Sequence, residues 1–131
     1  MSVTVSERHG VKVLSFPADG PKVATDRDAV DLIAETFDHH PDLVVVPAER
    51  FDDGFFTLST RIAGEIVQKF VNYQVRLAII GDISRHLEAS SALRDYVRET
   101  NRGRHVWFVA DLDELDAQLE RVARRPPPAR G

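Results

Sequence analysis

The chain has 131 residues, of which 43% are hydrophobic and 29% charged, and its formal net charge is -4. This length and composition predict one globular domain, and the acidic balance argues against nucleic acid as a partner, because nucleic-acid-binding proteins usually carry a basic surplus. The absence of cysteine excludes disulfides, thiolate catalysis and cysteine-ligated metal centres. No apolar run approaches the ~20 residues that span a bilayer, and no signal-peptide pattern opens the chain. We therefore expect a cytoplasmic protein with no membrane partner.

Strand-like segments recur along the chain. Residues 3–16 predict two short strands, and Gly10 between them can supply the positive φ of a tight hairpin turn. Three later runs, LVVV at 43–46, LAII at 77–80 and VWFV at 106–109, are apolar throughout. Continuous apolar runs are typical of parallel strands covered on both faces.

Four amphipathic segments predict helices between and after these strands. The first is expected to begin after a cap at Thr25, and the second to cover residues 56–72. The third should run from a cap at Ser90 or Ser91 to Gly103, and the fourth should begin at Asp111 with Glu114 in its first turn. Hydroxyl and carboxyl side chains at these starts can accept from free helical N–H groups. In the first helix, Val30, Ile33 and Phe37 are the expected core positions.

The order of elements, ββαβαβαβα, predicts one α/β domain over residues 1–125. Its sheet should be mainly parallel, with about five strands and four helices. Residues 126–131 begin with three prolines, which predicts a disordered tail. Whether the helices cover one or both sheet faces stays open. If they all lie on one face, a homodimer would cover the other.

A line of polar residues on the second helix is the strongest candidate site. Its members follow one another at spacings of four, four, three and four, which places them on one face of a helix: Thr57, Arg61, Glu65, Gln68 and Asn72. Such a line could present a guanidinium, a carboxylate and two amides to one ligand or partner. Gly64 costs about 1 kcal/mol relative to alanine in a helix, which suggests close approach by another backbone. Alternatively, Arg61 and Glu65 form an ion pair on a solvated face, and Gly64 packs against the sheet.

Acidic residues follow three of the predicted strands, namely Glu49, Asp82 and Asp111. Ligands of open parallel sheets bind beyond the carboxyl ends of strands, so these acids could bind a cation or act as acid and base. Asp82 is equally a good turn residue after Gly81, and Asp111 is a good helix cap.

Basic residues lie within the third predicted helix and at its end. Arg94 and Arg98 lie within it, and Asn101 and Arg102 lie at its end. The guanidinium groups of these arginines could bind an anion. Interleaved acids favour a solvated, ion-paired helix instead, and Asn101-Arg102-Gly103 is also a helix stop. The five histidines show no metal-ligand spacing, and no nucleotide, dinucleotide, hydrolase or zincin motif is present. We expect no metal and no cofactor.

A longer pattern resembles a known family. Residues 55–73 read F-F-x-L-x-T followed by A-G-E-x-x-Q-K-F-x-N-Y, and A-I-I-G-D at 78–82 and N-R-G at 101–103 continue the match. Over roughly residues 40–120, the chain resembles an uncharacterised bacterial family known only as a domain of unknown function. This resemblance implies no activity.

The start of the second helix is also similar to STAS domains. In anti-sigma factor antagonists of that class, a serine or threonine at a comparable helix start is phosphorylated by a partner kinase. Thr57, Ser59 and Thr60 occupy this place here, and a phosphate at a helix N-terminus meets free N–H groups and a favourable dipole. The D-S-S-G-like box of those proteins is replaced by F-F-T-L-S-T, and the same hydroxyls could serve only as caps.

Together these patterns predict a protein-binding or regulatory, STAS-like module rather than an enzyme. The candidate binding residues are Arg61, Glu65, Gln68, Asn72, Asp82, Asn101 and Arg102. One alternative is a small-molecule enzyme with Glu65 or Asp82 as acid-base and Arg61 or Arg102 as anion clamp. Another is a homo-oligomeric structural domain in which the polar line is a dimer contact.

Overall fold

A five-stranded sheet organises the chain, and the computed structural model describes residues 3–124 of it. The strands are Thr4–Arg8 (β1), Val11–Ser15 (β2), Leu43–Pro47 (β3), Leu77–Ile80 (β4) and Val106–Val109 (β5). They lie side by side in sequence order. The β1–β2 pair is antiparallel, and the other three pairs are parallel. The predicted α/β fold with a mainly parallel sheet is therefore confirmed.

Five α-helices occur in this part of the chain, because the third predicted helix is preceded by a separate short one. The helices are Asp26–Ala34 (α1), Ile62–Asn72 (α2), Ser84–Ala89 (α3), Ser91–Arg102 (α4) and Leu112–Arg124 (α5). Within residues 3–124, none of them is long and apolar enough to cross a membrane.

Local signals in the sequence fix most of the element boundaries. The Thr25 hydroxyl accepts from the Asp28 N–H, and the Asp28 carboxylate accepts from Thr25 in return, which completes a capping box at α1. Ser90 caps α4 through the Leu93 N–H. The β1–β2 turn uses positive φ at Gly10, as predicted, and also at the preceding residue.

The two faces of the sheet are covered differently. Alternate strand residues such as Val44 and Leu77 pack with α1, α2 and α4 in the larger core, whereas Val45 and Trp107 face α5. Because α5 covers the second face, that face does not need a homodimer to be buried.

The second helix begins later than the sequence predicts. Three 3-10 turns, Ala48–Arg50, Asp53–Phe56 and Leu58–Thr60, precede its first residue. Phe55 is 1% exposed and Phe56 is 4% exposed, so these aromatic rings anchor the turns in the core instead of continuing a helix. Phe37, predicted for the core, is 52% exposed beside Tyr73, because α1 ends three residues earlier. The tail predicted at 126–131 lies outside the described residues.

Arg50 is a buried charged residue that sequence analysis did not single out. It is 4% exposed, and its Nε and Nη1 donate to the carbonyl oxygens of Pro21 and Pro17, each at 2.8 Å. Its Cζ lies 5.9 Å from the centre of the Phe16 ring. Arg50 thereby holds the β2–α1 loop against the sheet. Its two acceptors, Pro17 and Pro21, are prolines and have no backbone N–H of their own to donate.

Replacing this guanidinium should destabilise the fold. We expect Arg50→Leu to lower the free energy of unfolding by about 2 kcal/mol or more, because the carbonyls of Pro17 and Pro21 lose the buried donor that holds their loop. Urea unfolding measures the change. Arg98→Leu is the matched control, since Arg98 is exposed and pairs with Asp95 on the surface of α4, and it should change stability by less than about 1 kcal/mol. Equal effects of the two variants would contradict the structural role of Arg50.

Candidate functional site

The outward face of α2 lines an open groove, which we call the α2 groove. It has a volume of about 660 Å³. Its walls come from the start of α1, the last 3-10 turn, α2 and α4: Asp26, Leu58, Arg61, Gly64, Glu65, Gln68, Lys69 and Tyr96. Three of the predicted site residues, Arg61, Glu65 and Gln68, thus border one concave surface.

The two predicted charges of the groove are not used by the fold. Among residues 3–124, the side chains of Arg61 and Glu65 form no hydrogen bond and no ion pair with each other or with any third residue. The alternative of an Arg61–Glu65 ion pair is therefore not realised. Arg61 also precedes α2 in the left-handed region, with φ of 65°, a conformation that is uncommon for residues other than glycine.

Gly64 occupies the floor of the groove without an internal reason for being glycine. The core side of α2 is made by Ala63, Ile66 and Phe70, whereas Gly64 is exposed and a Cβ built on it would meet nothing within 4 Å. The alternative that Gly64 packs against the sheet is wrong. Since no neighbouring atom of the described chain requires a glycine here, the missing side chain leaves room for the backbone of a binding partner.

Leu58 and Tyr96 give the groove its apolar part. Both are half-buried and pack against the main core. Burial raises the pKa of Tyr96, against a smaller opposing effect of its hydrogen bond with Thr100, so its hydroxyl stays neutral at physiological pH. No pattern in the sequence indicates that Tyr96 contributes to the groove, because only the packing of α4 beside α2 brings it there.

Two other predicted site residues, Asn72 and Asp82, do not line the α2 groove. Asn72 accepts a hydrogen bond from the Gln68 amide at 2.9 Å, and it does not line the groove. Asp82 lies elsewhere, beyond the carboxyl end of β4. There it accepts from the Ser84 hydroxyl at 2.5 Å and from the Ser84 N–H at 2.9 Å. These two hydrogen bonds lower the pKa of Asp82, as expected for a turn residue.

The three acids predicted at the strand ends do not form one cluster. Glu49 and Asp82 share a second cleft of about 460 Å³, while Asp111 caps α5 by accepting from the Glu114 N–H at 3.0 Å. Within the described residues, no group of three or more histidine, aspartate or glutamate side chains could hold a metal ion.

Asn101 has a structural role at the edge of the sheet. Its side chain accepts from the Phe108 N–H at 2.7 Å and donates to the Phe108 carbonyl at 3.0 Å. It therefore imitates a neighbouring strand along β5, which is an edge strand. Its own carbonyl accepts from Gln118 and Arg121 of α5.

Arg102 is separate from both the α2 groove and Asp82. It is exposed and pairs with Glu99 at 3.2 Å. Glu65 and Asp82 line different clefts, so the four groups named for the enzyme alternative do not converge in one pocket. Of them, only Glu65 and Arg61 share the α2 groove, among residues 3–124.

The three predicted phosphorylation candidates differ in how much the fold uses them. Thr60 Oγ1 lies 2.7 Å from the carbonyls of Gly54 and Thr57 and accepts from the Ile62 N–H. Thr57 Oγ1 donates to the Asp53 carbonyl at 3.2 Å. The Ser59 hydroxyl is exposed and forms no hydrogen bond within residues 3–124. Phosphorylation of Ser59 would therefore break no hydrogen bond within residues 3–124, unlike phosphorylation of Thr57 or Thr60.

The family of the chain follows from residues 8–119, which match the family described as "Domain of unknown function (DUF4180)". The chain belongs to this family, as its sequence pattern indicated. No curated protein gives a significant match, and no solved structure does so either.

The structural role of Asn101 can be measured directly. We expect Asn101→Ala to lower the free energy of unfolding by about 1–3 kcal/mol, because the backbone N–H and carbonyl of buried Phe108 both lose a partner. Asn72→Ala, which removes one exposed hydrogen bond, is the matched control and should cost less than about 0.5 kcal/mol. A loss no greater than that of the control would contradict the edge role.

Gly64 allows a test of whether the fold needs a glycine in the groove. We expect Gly64→Ala to raise the free energy of unfolding by up to about 1 kcal/mol, because alanine favours the helix and its methyl group meets no neighbour. Thermal or urea unfolding measures the gain. Gly10→Ala is the contrasting control: its Cβ also meets nothing, but its φ of 78° strains alanine, so stability should fall. A destabilised Gly64→Ala variant would show that the fold itself requires this glycine.

Proposed function

We propose that the chain is a regulatory, STAS-like module that binds a protein partner through the α2 groove and the 3-10 turns before it. One observation carries this proposal: the unpaired side chains of Arg61 and Glu65 flank Gly64, whose exposed backbone no part of the described chain approaches.

The chemistry of the groove suits a reversible protein contact. A guanidinium, a carboxylate and an amide stand around half-buried Leu58 and Tyr96, which is the mixture of apolar centre and polar rim found in such interfaces. A partner backbone can approach Gly64 closely because no side chain intervenes. Arg61 and Glu65 then set orientation, since charged pairs across an interface contribute to specificity.

Regulation by phosphorylation fits the place of Ser59. Its hydroxyl is exposed two residues before Arg61 and close to the start of α2, where a phosphate is stabilised by free N–H groups and the helix dipole. A long connection, residues 48–61, leads from β3 to α2. The buried rings of Phe55 and Phe56 hold this connection in place, which keeps Ser59 beside the groove.

Binding is tested by co-purification from cells that express the chain natively, with quantitative mass spectrometry. We expect one partner to be recovered with the wild type and at least ten-fold less with Glu65→Ala plus Gln68→Ala, because the orienting contacts are lost. The control, Glu88→Ala plus Ser91→Ala, removes an exposed carboxylate and an exposed hydroxyl from α3 and α4 and should leave recovery unchanged.

Two further measurements sharpen the outcome. Ser59→Glu should reduce recovery of the same partner, while Ser59→Ala should not. Light scattering of the purified chain shows whether the partner is a second copy, as a homodimer would double the mass. Equal recovery from the wild type and the Glu65–Gln68 variant, with a monomeric chain, would contradict a binding role for the α2 groove.

A further inference from the structure

Another concave surface, at the amino ends of β4 and β5, is basic. This pocket has a volume of about 360 Å³ and is lined by Arg76, Arg104, His105 and Val122. We call it the basic pocket. It shares no residue with the α2 groove, and none of its lining residues is acidic in a chain whose net charge is -4.

Arg76 is held rigidly at this pocket. Its Cζ lies 5.2 Å from the centre of the buried Trp107 ring, and its Nε donates to the Arg104 carbonyl at 2.8 Å. Its Nη2 is buried and has no hydrogen-bond partner in the described part of the chain. Such a donor is costly to the fold, because a buried polar group without a partner has lost its hydrogen bonds to water and gained none in return.

The charges around Arg76 are not balanced by a direct partner. Burial lowers the pKa of Arg76, the charge of Arg104 lowers it further, and only Asp42 opposes these effects. The Asp42 carboxylate accepts from the Lys12 N–H at 2.9 Å. Within residues 3–124, neither arginine of the pocket forms an ion pair.

His105 adds a third nitrogen group to the pocket. Its Nε2 lies 3.3 Å from the Phe70 carbonyl at the end of α2, which fixes the ring between that helix and β5. A bound oxyanion would place negative charge between two guanidinium groups that otherwise repel each other. Planar guanidinium forks fit the oxygen atoms of phosphate in particular.

We propose that the basic pocket binds the phosphate group of a small molecule, with Arg76 and Arg104 as its principal ligands. Phosphate suits this pocket better than a single carboxylate, because it carries more than one negative charge at neutral pH and its oxygens can accept from both arginines at once. Binding here does not depend on the proposed role of the α2 groove.

The position of Trp107 supplies a direct readout, because it is the only tryptophan of the chain and the Arg76 guanidinium covers its ring. We propose to titrate the purified chain with inorganic phosphate at constant ionic strength and to follow tryptophan fluorescence. A saturable change with phosphate, absent with chloride and at least ten-fold weaker with acetate, is the expected result.

Variants locate the binding. Arg104→Ala, at an exposed residue, should weaken phosphate binding at least ten-fold without unfolding the chain, whereas Arg98→Ala on the outer side of α4 should leave it unchanged. Titration with glycerol phosphate distinguishes an esterified from a free phosphate, and tighter binding of either supports the site. A response that never saturates, an equal response to acetate, or unchanged binding by Arg104→Ala would overturn the proposal.

Discussion

The order of the strands constrains every other part of this structure. Each parallel connection leads to the next strand in the same direction, and such crossovers are almost always right-handed. The crossover helices α1, α2 and α4 must therefore lie on one face of the sheet, with α2 between the other two. Among residues 3–124, only α5, which follows β5 and is no crossover, covers the opposite face.

This central position explains why the outer face of α2 is the surface on which polar groups can gather. Its inner side packs Ala63, Ile66 and Phe70 against the sheet, with Ile62 and Val67 partly buried beside them. The core therefore requires apolar residues on that side and leaves the outer face open to polar ones. Residues of α1 and α4 line the two sides of the groove, and the outer face of α2 forms its floor. At the other end of α2, the Phe70 carbonyl meets His105, so the same helix also borders the basic pocket.

The sequence predicted those features that depend on local periodicity and capping. The three buried runs became β3, β4 and β5, and Thr25 and Ser90 cap helices because their hydroxyl groups reach nearby N–H groups. The start of α2 was predicted too early, since Phe55 and Phe56 fit a helical period but pack better as part of 3-10 turns. The polar line of α2 was visible for the same reason as its core face, because both follow the 3.6-residue period.

Features that depend on distant parts of the chain could not be predicted in this way. Asn101 looked like a binding residue, yet its amide completes the edge of β5, and Arg50 gave no local signal of its burial under the β2–α1 loop. The useful distinction between fold and function is whether a polar group is already satisfied. Asn101 and Arg50 donate hydrogen bonds to carbonyls of the chain. By contrast, Arg61 and Glu65 have no side-chain partner among residues 3–124. Nη2 of Arg76 is buried and has no acceptor in the same part of the chain. Because unsatisfied polar groups are costly when buried and uninformative when fully solvated, those that stand in concave surfaces are the ones that most strongly indicate a ligand or partner.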